Sequence, residues 1–362
     1  MVSRPDQALR PRQPVSRCPV CDGTDRKAIF DLVDWLSGQP GSFPFVRCNA
    51  CELGYLAERP ADDDVTRYYP DDAYYAYRKP VPHSLFGQST ALSSAWYLLK
   101  RSVLAHRYGY RHLGGSRVLA AALDSPFLGS WRRKATFGLD VLLHPFVEDG
   151  ALLEVGCGSG MYLDLMRALG WKQVVGVDFS EKAVRQARDV LGLDARLGEL
   201  QAVGLESEAF DAVSVSHTLE HVADPVTFLG EIRRVMRPGG RLAIVVPNLE
   251  SLCARRFGAC WVGLDAPRHL ADFTSNSLAT AFERAGLAVE SIRTTARTAY
   301  DTALFSSARH LGDRRLGMGI SRNGFELRQR VQAKALAAWE KMACAMGRPR
   351  GEELVAVARN SA

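Results

Sequence analysis

From residue 151 onward, short runs of consecutive apolar residues alternate with segments whose apolar positions recur every three or four residues. The runs predict strands at 151–155, 173–178, 195–197, 210–216, 241–246 and 287–293. The segments predict helices at 161–169, 181–191, 226–236 and 277–285. Apolar strands separated by helices are the pattern of a parallel sheet covered on both faces, because each crossover lays a helix on the sheet. Residues 351–359 read as a closing edge strand. Between the last two strands lies an insertion of about 298–350, with an amphipathic helix near 327–346; insertions of that length form lids, substrate walls or dimer contacts.

The amino-terminal part follows a different rhythm. Residues 1–16 have no apolar core, which excludes a signal peptide and predicts a disordered tail; cytoplasmic residence is the expectation. Residues 17–80 hold two C-x-x-C pairs and the aromatic run Tyr68-Tyr-Pro-Asp-Asp-Ala-Tyr-Tyr-Ala-Tyr77, which is too irregular for a strand. Its rings either pack this module on its neighbour or line a site where they stack on a sugar or base. Residues 81–145 return to helical spacing and predict a helical arm leading into a domain at 146–362.

Composition narrows the class. With 362 residues, 47% hydrophobic and 24% charged, the chain is globular with ample core, and no run is long enough to span a bilayer. A net charge of +6 is mild and does not by itself indicate nucleic acid. Of eight cysteines, Cys18, Cys21, Cys48 and Cys51 form the two pairs. In a reducing compartment two such knuckles predict a closed tetrahedral zinc site, structural because no coordination position stays open. Residues 22–47 between the pairs leave room for a two-stranded excursion.

The first predicted strand of the main domain runs into Glu154-Val-Gly-Cys-Gly-Ser-Gly160 and then into a helix. Glycines there let the backbone approach a ligand, and the G-x-G-x-G spacing differs from the G-x-G-x-x-G of dinucleotide sites. Asp178 ends the next strand, where a carboxylate can accept hydrogen bonds from a ribose diol. Another stretch, His217-Thr-Leu-Glu-His221, has the H-x-x-E-H letters of inverted zinc proteases. That chemistry needs a helix. Here a strand arrives from 210–216 and Asp224-Pro225 starts a new helix, so the five residues fall in a turn.

Loop, strand and terminal acid in this order resemble the class I S-adenosylmethionine-dependent methyltransferases over residues 151–293, including the run FDAVSVSHTLEHVADPVTFLGEIRRVMRPGG and the strand end VVPN. The resemblance implies a Rossmann-like seven-stranded α/β sheet, here with a small amino-terminal zinc-binding module and helical insertions. It implies that Gly156, Cys157, Gly158 and Gly160 turn around the methionine part of the cofactor, that Glu154 orients its amino group, and that Asp178, with Phe179 beside it, holds the ribose. Glu199 and the backbone of Leu200 match the adenine position, and His217 borders the cofactor. Deoxysugar C-methyltransferases with a four-cysteine module carry Tyr-x-Glu-His in the turn after the fourth strand; Glu220 and His221 match it, but Thr218 stands where the Tyr would be.

A second segment, Trp261 to Thr274, resembles the W...P-x-H-L...F-T signature of a broad methyltransferase subfamily and closes on an N-cap at Thr274 or Ser275. His269 is the first candidate base for an acceptor hydroxyl and His221 the second, with Glu220 and His217 beside them, while Arg268 is positioned by the pattern for an anionic substrate group. The expected reaction is methyl transfer to a small-molecule acceptor, a hydroxyl of a sugar or nucleotide-sugar, glycan precursor or natural product. A zinc-module RNA methyltransferase, a sugar C-methyltransferase and a non-catalytic scaffold remain as alternatives. A concentrated basic stripe interleaved with aromatics is missing, which weighs against RNA.

Overall fold

The computed structural model describes residues 12–69, 91–123, 131, 134–136, 141–312 and 324–361. Its amino-terminal strands are β1 (Arg12–Pro14), β2 (Arg26–Val33), β3 (Ser42–Cys48), β4 (Gly54–Leu56) and β5 (Glu58–Pro60). The remaining strands are β6 (Ala151–Val155), β7 (Gln173–Asp178), β8 (Asp194–Leu197), β9 (Phe210–Ser216), β10 (Met236–Pro247), β11 (Ala271–Asp272), β12 (Ala288–Thr295) and β13 (Glu353–Arg359).

Seven of them form one sheet in the order β12-β13-β10-β9-β6-β7-β8. The five from β10 to β8 are parallel, and their crossovers carry helices at Met161–Ala168, Glu181–Leu191 and Pro225–Val235. Sequence-encoded caps set these helices: Ser180 accepts from the Ala183 amide, and Asp224 accepts from Thr227 ahead of Pro225 in the first turn. Leu153, Val155, Val213, Val215, Ile244 and Val246 fill one face of the sheet, and Leu152, Ala212, Ala243 and Val245 the other.

The strand at the carboxyl end corrects an expectation. β13 is no edge; it lies between β10 and β12, antiparallel to both. Its run Leu354 to Ala358 is buried on both faces, and that unbroken apolar pattern is the mark of an interior strand. The edges of this sheet are β8 and β12, the latter with exposed Glu290 and Arg293 among its side chains. Helices at Leu252–Phe257 and Ala299–His310 were not foreseen, and residues 141–145, the end of the expected helical arm, are a turn followed by irregular chain.

The amino-terminal segment does not stand apart. β2 and β3 are the two-stranded excursion between the cysteine pairs, β4 joins them, and the fourth strand of that sheet is β11, in the order β11-β4-β3-β2. Ala271 pairs with Tyr55 and Asp272 with Gly54. Gly54 is required there: a Cβ would sit 2.4 Å from the Phe45 ring and 2.8 Å from Leu249. Cys18, Val20, Leu53 and Tyr55 share one core with the central sheet. Of the segment 1–16 expected to be a disordered tail, Arg12–Pro14 form β1 and pair with β5 in a two-stranded sheet of their own; residues 1–11 lie outside the described residues. Of the aromatic run, Tyr68 and Tyr69 are described; Tyr74, Tyr75 and Tyr77 lie outside the described residues. Parts of the expected helical arm do too; within it, helices cover Ala91–Arg107 and Arg117–Leu123.

Candidate active site

The glycine turn closes at the carboxyl end of β6. The amides of Gly156 and Cys157 both donate to the Val177 carbonyl on β7, bending the chain sharply. Gly156, Gly158 and Gly160 have φ of 77°, 52° and 81°, a region that side-chain-bearing residues resist. At Gly156 a Cβ would also lie 2.0 Å from the Thr218 hydroxyl, so only glycine fits under that side chain. The Asp178 carboxylate accepts from the Gly158 amide and from the Ser180 amide, both at 2.8 Å, and so ties the turn to the end of β7. Gly198 donates to the Asp178 carbonyl, which brings exposed Glu199 and buried Leu200 to the same edge. Cys157 points its thiol beneath the turn, beside Gly176 and Leu163, so only its backbone faces outward.

Glu154 lies below this turn, fully buried, with one carboxylate oxygen lacking a partner. Burial, and then the neighbouring Asp178 charge, push its pKa well above the usual carboxylate range. An orphaned acceptor beneath a glycine cradle fits a ligand with a cationic amino group. Phe179 leaves its ring half exposed, edge-on to Tyr69 at 5.4 Å between centroids.

The chain then crosses to the end of β9, where His217 adopts φ 51°. One ring nitrogen lies 3.3 Å from Glu220 and the other 3.0 Å from Glu353, which Arg297 also contacts at 3.0 Å. Burial alone would lower the His217 pKa, but the two carboxylates outweigh it and hold it at about 10; Glu353, although buried, is drawn down to about 2. His217 is therefore an imidazolium with both N–H groups engaged. In that state it has no lone pair to accept a proton, so it stands beside the two candidate bases, His269 and His221, without being one of them.

Leu219–His221 is a single 3-10 turn and not the helix a protease zinc site needs. The Leu270 amide donates to the Glu220 carbonyl, fastening this turn to the His269 loop. His221 and His269 meet edge to face, 4.7 Å between ring centroids. His221 Nδ1 is 2.9 Å from the Arg268 carbonyl and His269 Nδ1 is 2.6 Å from the Gly263 carbonyl. A carbonyl only accepts, so both Nδ1 atoms carry hydrogen and both Nε2 atoms keep their lone pairs in the neutral rings. Burial and the adjacent His269 lower the His221 pKa to about 4. For His269, burial acts downward but Asp272 and Glu220 prevail, raising its pKa above the ordinary value. Asp272 stands behind His269 at 3.8 Å.

Arg268 does not reach toward a ligand. It is fully buried and bound by Asp265 at 2.7 and 2.8 Å, by Asp34 at 3.0 Å and by the Tyr68 carbonyl at 2.8 Å. The expected anion contact is thus replaced by a rivet between the β2–β3 hairpin and the His269 loop. Sequence reasoning also missed Tyr69, whose hydroxyl is 3.1 Å from His221 Nδ1, and Glu353 and Arg297 around His217. The acidic pair Glu352-Glu353 at the start of an apolar strand was a usable signal for Glu353, and the aromatic run that holds Tyr69 was one for Tyr69, although it did not single that residue out.

A family model described as a methyltransferase domain matches residues 130–292. The ubiquinone biosynthesis O-methyltransferase of Parvibaculum lavamentivorans is 35% identical over 174 residues, covering 44% of this chain and 68% of that protein. The chain belongs to the S-adenosylmethionine-dependent methyltransferases. The protein of the same name from Cereibacter sphaeroides is 32% identical over 154 residues, 40% of this methyltransferase and 62% of that protein. An uncharacterized 37.1 kDa protein in transposon TN4556 of Streptomyces fradiae is 39% identical over 106 residues, 28% of this chain and 31% of that one. A solved S-adenosylmethionine-dependent methyltransferase from Mesorhizobium loti superposes with a TM-score of 0.42 at 18% identity, over 66% of this chain and 99% of that chain; the assignment does not rest on it.

In the amino-terminal part of this methyltransferase the four paired cysteines converge. Cys18 and Cys51 Sγ lie 3.5 Å apart, Cys21 and Cys48 Sγ 3.4 Å, and all four sulfurs lie within 4.8 Å of one another. Four thiolates at about 2.3 Å from one tetrahedral ion stand about 3.8 Å apart, so the donor set fits such an ion.

Proposed function

We propose that this methyltransferase transfers a methyl group to a hydroxyl of a small-molecule acceptor, with His269 as the base. Bound S-adenosylmethionine supplies a methyl already activated by its sulfonium, so the chain must align the acceptor and remove one proton. In this reading the glycine turn, Glu154 and the Asp178–Phe179 strand end hold the cofactor, with Glu199 and Leu200 at its adenine.

One observation carries the choice of base: His269 presents Nε2 while Nδ1 is bound to the Gly263 carbonyl with Asp272 behind it. A pKa raised toward working pH suits proton abstraction. His221, held neutral at about 4, is the weaker proton acceptor and serves as a hydrogen-bond acceptor to the substrate. Relatives named for ubiquinone biosynthesis favour an O-methylated acceptor, and a phenol or a sugar hydroxyl both satisfy this chemistry. Sugar C-methylation is the second reading, favoured by Tyr69, which brings a phenol to His221 although Thr218 does not.

The four cysteines hold a structural zinc in this proposal, in a compartment that keeps thiols reduced. The zinc acts through β4 and β11, on which the His269 loop is strung.

The test is incubation with methyl-labelled S-adenosylmethionine and an extract of the host fractionated into small molecules, glycans and lipids, RNA, and protein. Acid- and base-stable label on oxygen in the small-molecule or glycan fraction supports the reading. Label confined to RNA, or attached to carbon, overturns it.

A further inference from the structure

Helix Leu327–Ala345 packs inward through Gln329, Ala333, Ala337, Glu340 and Ala343. Its other side carries Leu327, Val331, Trp339 and Met342, followed by Met346, which are 69%, 56%, 60%, 54% and 53% exposed. Ala335 and Ala338 are exposed between them. At about 100° per residue these seven positions fall within an arc of roughly 120°, which Arg328 shares at its amino-terminal end and which Lys334 and Lys341 flank.

The charged side chains sharing the exposed surface of this helix are Arg328, Lys334 and Lys341, all cationic; its acid, Glu340, is fully buried. The same sign runs through the whole insertion. Residues 298–350 hold ten Lys and Arg against four Asp and Glu, a net +6 that equals the net charge of the entire chain. The rest of the protein is neutral in sum; of the insertion's described cations, Arg328, Lys334, Lys341 and Arg348 are exposed on or just after the helix that carries the apolar stripe.

A contiguous apolar face of this kind on a soluble protein marks a docking surface. A second copy laid on the stripe would set cations against cations. A surface with anionic phosphates matches both features: Leu, Met and Trp enter the boundary between headgroups and acyl chains, while Lys and Arg reach the phosphates. No helix among the described residues is long and apolar enough to cross a membrane, so the fit is to lying on one.

We propose that the outward face of helix Leu327–Ala345 docks this methyltransferase on a lipid bilayer bearing anionic headgroups. The inference is independent of the acceptor. It is tested by flotation of the full chain with vesicles of phosphatidylcholine and phosphatidylglycerol in equal amounts, against vesicles of phosphatidylcholine alone.

Binding to the mixed vesicles, weakened by salt and absent with phosphatidylcholine alone, is the expected result. The double variant Trp339→Glu, Met342→Glu loses roughly tenfold or more in vesicle affinity, and Lys334→Glu, Lys341→Glu a similar factor. Both variants keep wild-type affinity for S-adenosylmethionine, which reports that they fold. The proposal is overturned by wild-type protein that ignores mixed vesicles, or by binding that neither variant weakens. It is equally overturned if light scattering finds a dimer that Trp339→Glu splits, because a second copy then covers the stripe.

Discussion

The two halves of the proposed active site are built in different ways. The cofactor half, from Glu154 to Leu200, is one continuous passage of strand, turn, helix and strand whose parts are held by main-chain bonds. The histidine half draws on Tyr69, Glu220, His221, His269 and Asp272, which meet only because β11 joins the amino-terminal sheet and the 3-10 turn is fastened to the loop. A binding cradle made of backbone can be written locally; a proton-handling site needs side chains brought from far apart.

Substitutions in each half and a pH profile break or sharpen that contrast. The largest effect is expected at His269: replacing it with Ala lowers kcat by about 10²- to 10⁴-fold while calorimetric affinity for S-adenosylmethionine stays as in the wild type. Equal loss of cofactor affinity would mean that the two halves are not separable. Next comes Arg268→Met, which leaves Asp34 and Asp265 buried without their cation; it should cost about 3–5 kcal/mol in denaturant unfolding. A stability unchanged within error would dismiss the rivet.

Gly156→Ala strikes the cofactor half. The strained φ and the collision with Thr218 together predict a loss of about 1–3 kcal/mol in cofactor binding, and pairing it with Thr218→Gly should restore part of it. No recovery in the double variant would place the strain elsewhere. Tyr69→Phe is the mildest, about 0.5–1.5 kcal/mol on kcat with the cofactor affinity untouched. If the Phe variant equals wild type at every pH, Tyr69 is only a packing residue.

The pH dependence carries two signs. As a base His269 must be neutral, so kcat/KM rises with pH through a value above 6.5 and is lost on its acid side. For stability, His217 is raised above its ordinary 6.5, so its contribution is complete below 6.5 and disappears as pH climbs through about 10. Glu353 is depressed, so its share is present above 4.5 and lost as pH falls through about 2. Melting temperature should therefore be greatest between those two ordinary values as far as this pair decides it. In His217→Gln the decline on the alkaline side should flatten; an identical alkaline slope would remove the imidazolium from the account.

Sequence alone determined the alternating sheet, the glycine turn with Asp178, the capped helices at Asp224 and Thr274, and the paired cysteines, because each depends on residues within a few positions of one another. It also placed Glu220, His221 and His269 among the candidates by type and position. What it could not assign was their state. His217 becomes a cation through Glu353, 136 positions away, and Arg268 becomes a buried tie through Asp34, 234 positions away. Tyr69 joins His221 from across 152 positions. Charge, protonation and availability of a side chain depend on which neighbours burial leaves it with, and those neighbours are set by tertiary packing, on which local pattern carries no information.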